Sequence, residues 1–150
     1  MPVQSEHRFP LDLSVLDAAG SRVTRADLRG QARAVAAYFM RTGTCPVCIH
    51  HARTLARLDL PTHDVQPVVV VPGPPAHAAR VRRILGDRVT VVSSAGAQAH
   101  LAAGLHRTLL LQHSGIMLVD SAGVVRYRLA TALPTGSFDG PTLQAAIDRL

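Results

Sequence analysis

The stretch ARAVAAYFMRTGTCPVC, residues 32–48, decides how this sequence should fold. Its first half, residues 32–40, is a nearly continuous apolar run of strand length, which is typical of a central strand buried on both faces of a sheet. A proline follows at position 46, and proline is favoured at the first helical position because no backbone donor is lost there. The sequence therefore predicts a buried strand, a loop over 41–44 and a helix over about 46–58.

The chain has two cysteines, Cys45 and Cys48, and both lie at the start of that helix. Free N–H groups and the positive end of the helix dipole favour a thiolate there. We therefore expect the pKa of Cys45 to lie below the usual ~8.5 and Cys45 to act as a nucleophile. Cys48 should lie one turn later on the same face, deeper against the sheet. An exposed thiol of low pKa with a recessed partner predicts thiol–disulfide chemistry, in which Cys45 attacks and Cys48 resolves the mixed disulfide or sulfenic acid.

Metal binding is the alternative for this pair of cysteines. Zinc needs two further ligands, and the chain has no second C-x-x-C. The helical wheel places His50 on the polar face opposite the thiols, and His51, three residues from Cys48, is interpreted as a histidine on the helix surface. A disulfide across two residues would close too small a loop to serve stability. We therefore expect redox chemistry without a metal or other cofactor.

Strands and helices alternate along the rest of the chain. The segments 9–17 and 22–24 predict an N-terminal β-hairpin, and the tight turn between strands 115–120 and 124–129 makes those two strands antiparallel. The pattern predicts an α/β fold, with a mixed central sheet flanked by helices on both faces, in one domain over residues 1–150. The remaining predicted elements are a helical turn over 25–30, strands over 65–71 and 88–92, and helices ending at Leu85, over 97–104 and over 138–150.

The composition narrows the class of protein further. The chain of 150 residues is 47% apolar and 17% charged, the balance of a soluble globular protein. Its net charge of +6 comes from scattered arginines, and it has only two tyrosines and three phenylalanines to stack bases, so we expect no nucleic-acid binding. No run approaches the roughly 18 apolar residues of a membrane span, and the N-terminus lacks the apolar segment of a signal peptide. We therefore expect a cytoplasmic protein without membrane association, and the lack of lysine indicates a GC-rich bacterial genome.

The hairpin, the strand Ala34–Phe39 and the segment Arg41–Cys48 resemble the AhpC/TSA (peroxiredoxin-like) branch of the thioredoxin superfamily. Many members carry a strand ending in phenylalanine, then arginine-glycine-x-tryptophan-cysteine-proline-x-cysteine. The resemblance continues through 68–73 and 116–123. It implies a thioredoxin-like fold and reduction of a peroxide or a disulfide, with thioredoxin, glutathione or a similar thiol as reductant. Members commonly pair as homodimers.

Two residues of the loop before the dithiol are further candidates. Within the family, Cys45 would be the peroxidatic cysteine, and Thr42 matches the threonine of the T-x-x-C signature, whose hydroxyl hydrogen-bonds the thiolate and the peroxide. Arg41 could place positive charge near Cys45, and a nearby cation lowers the pKa of a thiol. We expect Cys45, Cys48, Thr42 and Arg41 to form the catalytic site.

The sequence also departs from the family pattern. Tyr38 replaces the proline four residues before the threonine, and Thr44 replaces the tryptophan before the first cysteine. The buried acid of thioredoxins would align at Phe39, so no carboxylate is available there to accept a proton from the second cysteine. His113 and Ser114 stand where the family carries an arginine or a cis-proline, and either they face the dithiol in its place or they are a loop pair without a catalytic part.

Three functions are compatible with these features. The first is a thiol peroxidase, and the second is a thioredoxin-like disulfide reductase or redox sensor. The third is a binding or scaffold domain without turnover, in which Cys45 would alkylate no faster than a free thiol.

Overall fold

The computed structural model describes residues 15–108 and 111–150. Its strands are β1 (Val15–Leu16), β2 (Arg22–Val23), β3 (Ala34–Phe39), β4 (Val65–Val71), β5 (Thr90–Ser93), β6 (Arg107–Thr108), β7 (Leu111–Gln112), β8 (Ser114–Asp120) and β9 (Val125–Thr131). Its α-helices are α1 (Arg25–Arg29), α2 (Pro46–Arg57), α3 (Pro75–Leu85), α4 (Gln98–Ala102) and α5 (Gly140–Asp148).

Seven of the strands form one mixed sheet, in the order β2-β1-β5-β4-β3-β8-β9. The three inner strands β3, β4 and β5 are parallel, whereas β8 runs antiparallel to β3, and β9 antiparallel to β8. The mixed sheet is therefore confirmed. The antiparallel pair β1–β2 confirms the N-terminal hairpin, although residues 9–14 of the first predicted strand lie outside the described residues.

The central strand β3 is buried at all six positions, as its apolar run predicts. Alternate side chains of a strand point to opposite faces, so Tyr38 packs with α2, α3 and α5 on one face, and Phe39 packs with α4 and α1 on the other. Each large apolar side chain buried in these two layers stabilises the fold by about 1.5–3 kcal/mol. Because β3 lies inside the sheet, between β4 and β8, the loop that follows it leaves from the middle of the row of strand ends.

Helix α2 begins at Pro46, as predicted, and packs Cys48, Ala52 and Leu55 against the sheet. The last helix is shorter than the predicted 138–150. Its N-terminus is set by Asp139, whose carboxylate accepts a hydrogen bond from the N–H of Thr142 at 3.3 Å. A side-chain cap of this kind fixes the first residue of a helix, which an apolar pattern locates only approximately.

The short hairpin β6–β7 is an element that the sequence pattern does not predict. Arg107 pairs with Gln112, and the Gln112 amide donates to the Leu105 carbonyl oxygen at 2.9 Å. Strands of two residues are too short to show a period, so hydrophobic patterning gives no signal for them. In the part of the chain that the structure describes, no helix is both long and apolar enough to cross a membrane.

Candidate functional site: a dithiol at a helix start

Cys45 occupies the N-cap of α2, the position predicted from Pro46. Its sulfur accepts a hydrogen bond from the N–H of Cys48 at 3.3 Å, which satisfies one of the free donors at the helix start. Cys48 lies one turn later, and its own sulfur accepts from the backbone N–H of Arg41 at 3.3 Å. Both cysteines are free thiols. The chain thus holds two sulfurs together at the point where β3 passes into α2.

The Cys45 thiol is more enclosed than the sequence suggests. Cys48 is fully buried, as expected of a resolving cysteine, whereas Cys45 was predicted to be exposed and is only 3% exposed. Cys45 closes a turn with the preceding loop, since its N–H donates to the Thr42 carbonyl oxygen at 3.4 Å. Access to the Cys45 sulfur is therefore narrow.

The surroundings separate the pKa values of the two thiols. Burial acts to raise the pKa of Cys45, but hydrogen bonds from the Cys48 thiol, the Cys48 N–H and the Arg41 side chain outweigh it, so the pKa lies below its ordinary value. Burial, together with the hydrogen bond to Cys45, raises the pKa of Cys48 to about 11. Cys45 is therefore the thiol that ionises first, in agreement with its place at the helix start.

The two loop candidates differ in their contacts. Arg41 reaches both sulfurs, through its backbone N–H to Cys48 and through its side chain to Cys45. The Thr42 hydroxyl lies 3.4 Å from that of Thr44, and the link from Thr42 to Cys45 runs through its backbone carbonyl. The structure thus brings Arg41 to the dithiol, whereas a role of the Thr42 hydroxyl toward Cys45 stays a prediction.

Comparison with known proteins bears on the fold that carries this dithiol. No protein-family model and no functionally curated protein matches the sequence. A peroxiredoxin-like protein from Aquifex aeolicus superposes with a TM-score of 0.78 at 14% identity, covering 96% of this chain and 85% of that one. The chain has a thioredoxin-like fold. Peroxidoxin BcpB from Mycobacterium tuberculosis shares it, with a TM-score of 0.76 at 15% identity over 96% of this chain and 99% of its own.

The same thioredoxin-like fold occurs in a protein with a different described activity. A secreted disulfide oxidoreductase of Mycobacterium tuberculosis, homologous to DsbE of Escherichia coli, matches with a TM-score of 0.66 at 15% identity. The match covers 93% of this chain and 97% of that one. The fold therefore does not choose the substrate, which has to be argued from the site.

The sequence does not predict a polar cluster that lies next to Cys48. The Tyr38 hydroxyl lies 2.8 Å from the Ser137 hydroxyl and 3.1 Å from Nδ1 of His51, and it also hydrogen-bonds the Cys48 thiol. Tyr38 is fully buried, and His51 is half-buried instead of being the surface histidine that the sequence suggests. Burial, with a smaller effect of His50, lowers the pKa of His51, so its ring is neutral at pH 7.

The positions of Tyr38 and His51 in this cluster could have been predicted from the sequence. Residues of a strand alternate between faces, so Tyr38 must point to the same side as Ala34 and Ala36, the side that α2 covers. His51 is one helical turn beyond Cys48, which places both on the inner half of α2. Ser137 comes from a turn near the C-terminus, and nothing local connects it to the dithiol.

His113 and Ser114, which align with the family's arginine or proline, are held differently. The His113 ring bonds Thr108 in the hairpin, with Nε2 2.7 Å from the hydroxyl oxygen. Ser114 begins β8 directly beyond the pair Phe39–Gly115, at the end of β3 where the loop 41–44 follows. Its hydroxyl is buried and has no hydrogen-bond partner among residues 15–108 and 111–150. Ser114 therefore lies at the same end of the sheet as the dithiol, whereas the His113 side chain hydrogen-bonds within the β6–β7 hairpin.

A buried histidine holds the residue that precedes the loop 41–44. Nε2 of His100 donates to the carbonyl oxygen of Met40 at 2.8 Å, and Nδ1 accepts from the Ser94 hydroxyl at 2.9 Å. Burial lowers the pKa of His100 to about 4, so the ring is neutral at pH 7. This contact ties α4 to the last residue before Arg41.

A cavity of about 550 Å³ opens on the outer side of the loop, and we call it the loop cavity. It is lined by residues 41–44, Pro72, Gly73, His77, Arg80, Gly96, Ala97, Arg107 and Gln112. Within the described ranges, no group of three or more histidine, cysteine, aspartate or glutamate side chains is arranged to hold a metal ion.

Proposed function

We propose that this protein is a thiol-dependent oxidoreductase that reduces peroxides, with Cys45 as nucleophile and Cys48 as resolving thiol. The observation that carries the proposal is the placement of the two thiols, with Cys45 at the N-cap of α2 and Cys48 buried one helical turn later. The Cys45 sulfur at the helix start is stabilised as a thiolate, while Cys48 stays protonated behind it. The thioredoxin-like fold supports thiol redox chemistry in general, because both peroxiredoxins and a disulfide oxidoreductase use it.

The reaction begins when the Cys45 thiolate attacks the outer oxygen of a hydroperoxide. An S–O bond forms, the O–O bond breaks, and the leaving alkoxide takes up a proton to become an alcohol. Cys48 then loses its proton and attacks the sulfenic sulfur, which forms the disulfide and releases the hydroxyl as water. The two thiols have supplied two electrons, and an external thiol such as thioredoxin or glutathione returns them.

The polar cluster behind Cys48 supports the second step. A thiol whose pKa is about 11 needs help to lose its proton near neutral pH. The hydrogen bond from Tyr38 lowers that pKa, and the neutral ring of His51, 3.1 Å from the Tyr38 hydroxyl, can accept a proton through it. This cluster takes the place of the carboxylate that the sequence lacks at Phe39.

The size of the oxidant favours a peroxide over a protein disulfide. Disulfide exchange requires the attacking sulfur to approach its target in line, and Cys45 is only 3% exposed. A hydroperoxide needs far less room than the surface of a second protein. Reduction of a protein disulfide is the second candidate, supported by the likeness to the secreted disulfide oxidoreductase.

The test starts with the pH dependence of Cys45 alkylation in the reduced Cys48→Ser variant, which leaves one thiol. A midpoint below ~8.5 is expected for a stabilised thiolate. One equivalent of peroxide is then added to the unmodified protein, and mass spectrometry follows loss of two hydrogens as the disulfide forms. Consumption of peroxide with a thiol reductant separates a peroxidase from a disulfide reductase. An ordinary midpoint with thiols that stay reduced would leave a binding domain without turnover.

A further inference from the structure

The loop cavity carries positive charge that the proposed reaction does not use. Three arginines line it, namely Arg41, Arg80 and Arg107, and His77 lies one turn before Arg80 on α3. The lining contains no aspartate or glutamate. A concave site with charges of a single sign concentrates ions of the opposite sign.

These arginines have no carboxylate partner in the described part of the chain. The ion pairs found there join Arg82 to Asp87 and Arg126 to Asp120, away from the cavity lining. Nε of Arg41 is buried, and it has no hydrogen-bond partner among the residues described. A buried N–H donor without an acceptor costs free energy. An oxygen atom of a bound ligand would supply the acceptor that Nε of Arg41 lacks.

The fold holds the cavity walls in place. Two of the lining residues, Gly73 and Gly96, exchange backbone hydrogen bonds of 2.7 and 3.1 Å. Gly73 has φ +97°, and a Cβ there would lie 2.5 Å from Nδ1 of His77, so the His77 side chain packs directly against Gly73. On the other side, Gln112 braces the hairpin that carries Arg107. The three arginines thus come from three separate elements.

We propose that the loop cavity binds the carboxylate of a small organic oxidant and so presents its reactive bond to Cys45. The inference rests on the proposed function, and it adds the class of substrate. The volume of about 550 Å³ suits a small molecule, and guanidinium groups bind carboxylates through paired hydrogen bonds. Residues 41–44 line the cavity and lead directly to Cys45, and the Arg41 backbone N–H donates to the Cys48 sulfur at 3.3 Å, so an anion bound there lies next to the dithiol.

Two classes of oxidant carry this chemistry. A carboxylate-bearing hydroperoxide is converted to the corresponding alcohol and water, as above. With a carboxylate-bearing disulfide, the Cys45 thiolate breaks the S–S bond, one half leaves as a thiol, and a mixed disulfide forms. Cys48 then displaces the second half as a thiol, so the Cys45–Cys48 disulfide forms and the two released thiols hold the two electrons that the dithiol has lost.

The first experiment compares alkylation of Cys45 by iodoacetate, an anion, and by iodoacetamide, its neutral analogue, in the Cys48→Ser variant. The rate ratio is divided by that of free cysteine at the same pH. We expect the normalised ratio to be roughly tenfold at low salt and to fall toward one in molar salt, because ions screen the arginines. Arg80→Ala and Arg107→Ala should each lower it by roughly threefold. Arg83→Ala is the matched control, since Arg83 is exposed on the same helix and does not line the cavity.

The outcomes separate this inference from the proposed function. Fast alkylation by both reagents with a normalised ratio near one would overturn the anion site and leave the oxidoreductase standing. Slow alkylation by both, at the rate of a free thiol, would instead count against the oxidoreductase. Thermal unfolding of each variant confirms that these exposed arginines act without loss of the fold.

Two pairs of oxidants then identify the source of the carboxylate. A linoleic acid hydroperoxide is compared with its methyl ester, and 5,5′-dithiobis(2-nitrobenzoate) with neutral 4,4′-dithiodipyridine. A preference for the acid over the ester, abolished by Arg80→Ala, assigns a hydroperoxide. A preference for the anionic disulfide, lost in the same variant, assigns a disulfide. Equal rates within both pairs would overturn the proposal.

Discussion

At the scale of single residues, Arg41 supports both sulfurs of the dithiol. Its backbone N–H would remain in an Arg41→Ala variant, whereas its hydrogen bond and positive charge near Cys45 would be lost. We expect the pKa of Cys45 to rise, since a nearby cation favours the thiolate. The pH profile of alkylation measures this rise, and Arg41→Lys should recover part of it. Arg53→Ala, on the exposed side of α2, is the control; an equal shift there would show that the effect is not local.

Tyr38 is the residue that connects Cys48 to the polar cluster. In Tyr38→Phe the ring remains, but the hydroxyl that bonds Cys48, Ser137 and His51 is removed. We expect the pKa of Cys48 to rise further and formation of the disulfide to slow by roughly 100-fold, the lower end of the range for a lost proton-transfer partner. The sulfenic acid at Cys45 should then accumulate and be trapped by dimedone.

The matched control for Tyr38 is the other tyrosine of the chain. The Tyr127 hydroxyl bonds that of Thr142 at 2.6 Å, so Tyr127→Phe removes a hydroxyl without touching the dithiol. The two variants should show the same rate of Cys45 alkylation and differ in the resolving step alone. If the Tyr38→Phe variant forms the disulfide as fast as the unchanged protein, the cluster has no part in the attack of Cys48 on the sulfenic acid.

At the scale of elements, the packing of β8 between β3 and β9 depends on Gly115. A Cβ at this position would lie 2.5 Å from the Leu129 carbonyl oxygen and 2.9 Å from the Ala130 Cα. Backbone atoms cannot give way as a flexible side chain does, so Gly115→Ala should lower the free energy of unfolding by roughly 1–3 kcal/mol or more. Urea unfolding measures this. Gly140→Ala is the control, because its nearest neighbours lie 3.9 Å away, and a comparable loss there would contradict the steric explanation.

At the scale of the whole molecule, His100 makes stability depend on pH. Its pKa is about 4 in the folded protein and ordinarily 6.5, so between these values the unfolded chain binds more protons. Stability is therefore complete above about pH 6.5 and falls as the pH drops toward 4, by an amount on the order of 3 kcal/mol. Chemical unfolding at several pH values should show this slope. His100→Gln, which cannot take up the proton, should flatten it, whereas His106→Gln, an exposed histidine, should leave it in place.

Much of the molecule follows from its sequence alone. Alternating strand and helix patterns predict the mixed sheet, because the period of apolar residues is a local property of each segment. Pro46 marks the start of α2, and that start places Cys45 at the N-cap with its lowered pKa. Arg41 follows as well, since it is only four residues from Cys45 and the loop between them is short.

What surrounds the dithiol was decided by the tertiary structure. Ser137 contacts Tyr38 across 99 positions of the chain, and the loop cavity is lined by arginines from the loop after β3, from α3 and from β6. Contacts of this kind depend on how the sheet orders its strands and where each helix packs, and no local period encodes them. The sequence by itself therefore determined which thiol lies at the helix start, where the thiolate is favoured locally. The polar cluster next to Cys48 and the group of arginines that lines the loop cavity exist only once distant segments meet.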